Sequence, residues 1–209
     1  MNPVAIEHAK ERLEVAFEAV DRLAAATEAK SFKCIRREWT NFLLAASAIY
    51  SKLEQGAKSN GKSTAWFGRK KKERKDDPLL CYIHHARNTD HHGLSPTMKE
   101  GAMVTVTMPT LMTPSGPVQM IGVAADPDAP PTNFKCTNTV TGKEVPVIRE
   151  VEKYLAAITV VDDKHGDRFD PPKSHLGEAI EVDEPAGIAR LAVEYLKDLV
   201  AEAGRYVAP

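Results

Sequence analysis

The chain has 209 residues, 43% of them hydrophobic, enough to bury a substantial core in one or two domains. Lysine and arginine (28) nearly balance aspartate and glutamate (29), and the net charge of −1 excludes a global field drawing the chain to nucleic acid or membrane; electrostatic recognition has to be local. Cys34, Cys81 and Cys136 are odd in number, far apart and without a CxxC pair, which suggests neither a disulfide framework nor a zinc knuckle.

From Pro3 to about Lys30, Val4, Ile6, Leu13, Phe17, Val20 and Leu23 fall mostly at helical spacing, with the proline placed for a helix start. Ser31 is positioned as N-cap of a second helix through Ile35, Trp39, Phe42, Ala46, Ile49 and Leu53, ending near Gly56. The short connection predicts an antiparallel pair. Residues 57–63 are turn-rich. The stretch Gly68–Lys75 carries six positive charges and one negative, and it reads as a solvated loop. Asp77 and Pro78 then suit the N-cap and first position of a third helix, running through Leu79, Cys81 and Ile83 to a stop at Gly93.

Beyond Pro96 the pattern changes. Met103–Met108 alternates and is rich in β-branched residues, 114–117 is a turn, and Val118–Val123 reads as the returning strand of a hairpin. Residues 134–147 have room for another strand or two. The segment from Val147 to Ile158 fits a helical face, although its end, 157–161, reads equally as a strand. A polar, proline-containing stretch from 162 to 183 is predicted to be loop, and Pro185 to Gly204 restores helical spacing through Ile188, Ala192, Leu196 and Leu199. The expected fold is mainly α, with helical segments 1–95 and 184–209 interrupted by a β-rich insertion over 96–183.

Four of the seven histidines lie between His84 and His92, beside Arg87, Asn88 and Asp90. Groups that titrate near neutrality next to a permanent cation suit acid–base chemistry on a phosphate ester. The order Arg87-Asn88-x-x-x-His92 resembles the RNxxxH form of the RxxxxH motif of the HEPN superfamily, and two long N-terminal helices, a motif-bearing third and a closing helix are similar to its setting. The likeness covers about residues 3–95 and 184–205. It implies a four-helix bundle, frequently a homodimer with facing motifs. In catalytic members that arrangement makes a metal-independent endoribonuclease, with cleavage by 2′-hydroxyl attack; other members are non-catalytic nucleotide- or protein-binding modules. On this likeness Arg87 would stabilise developing phosphate charge, His92 would transfer protons and Asn88 would orient either group.

Helical geometry leaves an alternative open: at about 100° per residue, His91 shares a face with Arg87 whereas His92 is rotated by roughly 140°. His91 is therefore a rival for the catalytic role. Arg69, Lys70, Lys71, Lys72, Arg74 and Lys75 precede the motif closely enough to bind an RNA backbone, with Trp66 or Phe67 as stacking platforms. No cofactor and no metal are expected. Lys58–Thr64 contains Gly-Lys-Ser but lacks the first glycine of a phosphate-binding loop and follows no strand, and no HExxH or paired-cysteine pattern is present. Histidines at a helix C-terminus are also favoured there without any function. The first residues lack a basic-then-apolar leader and no apolar run approaches the roughly 20 residues of a bilayer span, so a cytoplasmic setting with no membrane partner is expected.

Overall fold

The computed structural model describes residues 1–92, 95–107, 111–113, 116–118, 121–124, 136–137, 144–145, 148–162, 166–182 and 184–207. At 91–92, 104, 106–107 and the described positions between 111 and 149 it describes the backbone alone. The protein is mainly helical with small antiparallel sheets. Five helices are seen among the described residues: α1 (Pro3–Glu28), α2 (Phe32–Ala57), α3 (Gly61–Asp76), α4 (Pro78–His92) and α5 (Pro185–Gly204). No helix among them is long and apolar enough to cross a membrane.

Helix α1 starts where the Asn2 side chain accepts the Val4 N–H at 2.9 Å and Pro3 occupies the first turn, where a missing N–H costs nothing. Its inward face is rich in alanine (Ala9, Ala16, Ala19), which lets α2 approach closely. The pair is antiparallel, since the Asn2 N–H donates to the Gly56 carbonyl at 3.0 Å. Glycine is required at this crossing: a Cβ on residue 56 would lie 2.5 Å from the Ala5 Cβ. Trp39, Phe42, Ile49 and Leu53 of α2, with Ile188, Leu196 and Leu199 of α5, are all essentially inaccessible, and burial of each contributes roughly 1.5–3 kcal/mol.

The basic run is not a loop. It lies within α3, whose N-cap Asn60 accepts the Ser63 N–H at 2.9 Å. Lysine and arginine are good helix formers, and Ser63, Trp66, Phe67, Lys70 and Arg74 make a stripe at helical spacing toward the protein interior. Trp66 and Phe67 are buried, and the Trp66 indole N–H donates to Glu202 at 2.8 Å, so neither is a stacking platform. One residue, Asp77, separates α3 from α4. Its carboxylate accepts the Leu80 N–H at 2.9 Å, capping α4.

The strands are β1 (Met98–Thr107), β2 (Leu111–Thr113), β3 (Gly116–Val118), β4 (Ile121–Ala124), β5 (Cys136–Thr137), β6 (Glu144–Val145), β7 (Ile148–Ala157), β8 (Val160–Val161), β9 (Arg168–Phe169), β10 (Ser174–His175) and β11 (Glu178–Ala179). A three-stranded sheet has the order β4-β1-β7, with Val104 opposite Ala124 and Thr107 opposite Ile121. The other ladders are two-stranded: β2–β3, β5–β6, β8–β9 and β10–β11. Of the returning strand expected over 118–123, position 118 lies in β3 and 121–123 in β4, and 119–120 lie outside the described residues. The helical spacing from 147 to 158 does not produce a helix: β7 is a strand neighbouring β1, where sheet pairing overrides the apolar period. The expected helix stop at Gly93, positions 114–115 of the expected turn and the polar positions 163–165 lie outside the described residues.

Two compact units emerge, one comprising Met1–Lys99 with Ala156–Pro209, the other Glu100–Leu155. Residues 156–182 therefore group with the helices and not with the β-rich insertion. Four contacts hold them against α4: the Tyr82 hydroxyl donates to the Ile158 carbonyl (3.0 Å), the Thr89 hydroxyl donates to the Val161 carbonyl (3.1 Å), His85 stacks on Phe169, and Asp77 receives His175.

Candidate functional site

Helix α4 carries the histidine cluster, and each face of it has a different task. His85 stacks on Phe169 at 3.5 Å with ring planes within 9°, and its Nδ1 lies 3.8 Å from the Asp162 carboxylate. Burial pushes its pKa down, with Asp162 and Asp167 opposing. Thr89 and Asp90, inside the motif, are structural: Thr89 bonds Val161, and Asp90 accepts from the Thr40 hydroxyl at 3.2 Å, fixing the end of α4 to α2. His85 and these two residues pin the helix.

Arg87 and Asn88 are brought together, with the Arg87 Nη1 donating to the Asn88 Oδ1 at 3.3 Å. The backbone of α4 is helical through His92, so position 92 stands roughly 140° around the axis from position 87 and position 91 about 40°. The side chains of His91 and His92 lie outside the described residues.

Arg87 lines a narrow cleft, with about 20 Å³ of room for water, together with His84, Leu80 and Ile83 of α4, Arg74 of α3, Leu43, Ala46, Ser47 and Tyr50 of α2, and Ala192 and Leu196 of α5. Among the described residues its walls are mostly apolar and its charged lining groups are basic. The Arg74 guanidinium sits 4.4 Å from the centre of the Tyr50 ring, a cation–π contact that holds it at the rim. Burial pushes the Tyr50 phenol up to about 12, so it stays protonated at neutral pH. His84 is pushed down to about 4, first by burial and then by Arg74, His85 and Arg87, with Asp162 opposing; at pH 7 it is neutral.

The six basic residues proposed for RNA divide by helical position. Lys70 turns inward to Glu202 (3.0 Å) and Glu73 (3.3 Å), and Lys71 pairs with Glu54 at 3.0 Å. Arg74 faces the cleft, while Arg69, Lys72 and Lys75 are exposed on the outer side of α3. Position on the inner stripe of a helix is the signal that would have separated Arg74 from its neighbours. His84 stands three residues before Arg87, a spacing that puts both on one face of α4.

Among the described residues no three His, Cys, Asp or Glu side chains gather as a metal site. Comparison with known proteins finds no matching family model, no matching curated protein and no matching solved structure.

Proposed function

We propose that α1, α2, α4 and α5 constitute a HEPN-like four-helix bundle and that the protein is a metal-independent endoribonuclease, active as a homodimer. The observation that carries this reading is the meeting of Arg87, touching Asn88, with Arg74 and His84 at one cleft on the motif helix. The RNA 2′-hydroxyl attacks the adjacent phosphorus, the bond to the 5′-oxygen breaks, and a 2′,3′-cyclic phosphate and a 5′-hydroxyl result. Arg87 stabilises charge on the non-bridging oxygens, a histidine takes the 2′-hydroxyl proton, and a proton is returned to the leaving oxygen. Position 92 stands off the Arg87 face of its own helix, which favours a site completed by His92 from a second copy over one within a single chain. Arg69, Lys72 and Lys75 contact the RNA backbone from the outer side of α3.

The β-rich segment between about 103 and 161, which the HEPN likeness does not cover and which is too long for a passive loop, favours a second reading, in which the bundle is a non-catalytic, dimeric nucleotide- or protein-binding module. End-labelled RNA incubated with the protein in excess chelator separates the two. Cleavage with cyclic-phosphate ends is expected, reduced at least about 10²-fold in Arg87→Ala and His92→Ala while the far-UV spectrum and melting temperature are retained. If His91→Ala is the damaging change and His92→Ala is silent, His91 holds the role. RNA left intact at every protein concentration removes the nuclease reading in favour of the module.

A further inference from the structure

We propose that the outer side of α3 carries one unpaired RNA strand, held through its phosphates alone by Lys62, Arg69, Lys72 and Lys75. This rests on the assignment of RNA as ligand and adds the form of the strand, its alignment and a fourth contact, Lys62. All four residues are exposed, and among the described residues none of them has a carboxylate partner. The other cations of the run are already engaged: Lys70 with Glu202 and Glu73, Lys71 with Glu54, and Arg74 over the Tyr50 ring. Of the two acids in α3, Glu73 accepts the Tyr195 hydroxyl, and only Asp76, at the last position, is exposed.

Arg69, Lys72 and Lys75 follow one another at three-residue steps, which bring neighbouring Cβ atoms to about 5–6 Å, and Lys62 stands two turns before Arg69 on nearly the same side. From first to last the row rises about 20 Å. A row one residue wide follows a single sugar–phosphate chain. Ala65 and Gly68 occupy the space beside it, so no second row of cations reaches for the other strand of a duplex. Attack by a 2′-hydroxyl also needs an unpaired linkage, because stacking in an A-form duplex holds that oxygen out of line with the leaving group. Base stacking contributes nothing here, since Trp66 and Phe67 are buried, and recognition is therefore blind to sequence. The same side of α3 exposes no large apolar side chain, which sets it apart from a helix that lies in a membrane surface.

The test uses the full chain with labelled 2′-O-methyl dodecauridylate and dodecaadenylate, which resist 2′-hydroxyl cleavage. Four phosphates neutralised on a single strand give a slope of log affinity against log salt of about −3 between about 50 and 200 mM. The two strands are expected to bind within about threefold of each other, and each more tightly than the duplex they form. Lys62→Gln, Arg69→Gln, Lys72→Gln and Lys75→Gln should each make the slope shallower by about 0.7, whereas Lys71→Gln, in the same run but turned to Glu54, should leave it unchanged. Circular dichroism checks that the helices persist in every variant. Unchanged slopes in the four variants, an equal effect of Lys71→Gln, tighter binding of the duplex, phosphatidylglycerol vesicles bound in place of RNA, or no binding at all overturns the proposal. Cleavage of unmodified RNA is scored separately: cleavage that survives the combined four-residue variant defeats this inference alone, whereas binding with the expected slope but no cleavage sustains it and removes the nuclease reading.

Discussion

Replacing Asp77 should loosen the motif helix from two sides. Its carboxylate, buried between α3 and α4, accepts the Leu80 N–H at 2.9 Å and the Leu176 N–H at 2.7 Å, and lies 3.1 and 3.2 Å from the His175 Nδ1. A carboxylate only accepts, so that ring nitrogen carries the hydrogen. Asp77→Ala removes an N-cap, which costs about 1 kcal/mol, and leaves the Leu176 N–H and His175 short of an acceptor in a partly buried place, each costing about 1 kcal/mol or more. The total expected loss is about 3–4 kcal/mol. Asp77→Asn keeps one oxygen for the cap but turns an amide toward Leu176, so its loss should be about half as large. Urea denaturation followed by circular dichroism gives both free energies, and hydrogen exchange at the Leu176 amide reports the β10–β11 hairpin directly. If Asp77→Ala unfolds within about 0.5 kcal/mol of wild type, or the Leu176 amide keeps its protection, the carboxylate does not hold these segments together.

Gly56→Ala should cost about 1–3 kcal/mol in the same denaturation assay, because the new methyl would be driven into Ala5 where α1 and α2 cross. Leu176→Asn should stabilise by about 0.5–1 kcal/mol, since the leucine adopts φ +50° and is 58% exposed, and Asn-Gly suits the left-handed two-residue turn before β11. Burial raises the pKa of Glu38, but hydrogen bonds from Asn41, Arg37 and Arg22 outweigh it and hold the carboxyl below its ordinary value. Its stabilising contribution is therefore complete above the unfolded-state pKa and disappears as pH falls through the folded one. Thermal melts of Glu38→Gln from pH 7 to pH 3 should show a shallower loss of stability than wild type, and an identical slope would refute the assignment.

Helices α1, α2, α4 and α5 were legible because their apolar spacing and end signals agree: Pro3, Ser31, Asp77-Pro78 and Pro185 all stand at or beside helix starts. Helix α3 was hidden by its own charge. Six cations in eight residues read as solvent-facing, yet two of them, Lys70 and Arg74, belong to the inward stripe, and lysine hides this by carrying its charge on a long apolar stem. The ladders between 160 and 179 are two residues long, too short for any period to register, and only His85, Thr89 and Asp77 reveal where they dock. At the candidate site, the proximity of Arg87 and Asn88 follows from adjacency in sequence. The approach of Arg74 does not, because it depends on α3 lying against α2 and α4, and pairing between helices leaves no mark on a single strand of sequence.

The Ile158 N–H donates to the Thr97 carbonyl at 3.2 Å, within the helical unit and just outside the boundaries of the Glu100–Leu155 unit. The two chain ends bordering that unit are thus already joined like the stems of a hairpin. Such a junction tolerates exchange: a tight turn of a few residues could bridge Lys99 and Ala156, or a different module could be spliced there, while the helices continue to see the same two anchored ends. The core of the helical unit would then be independent of what the chain carries between those two ends.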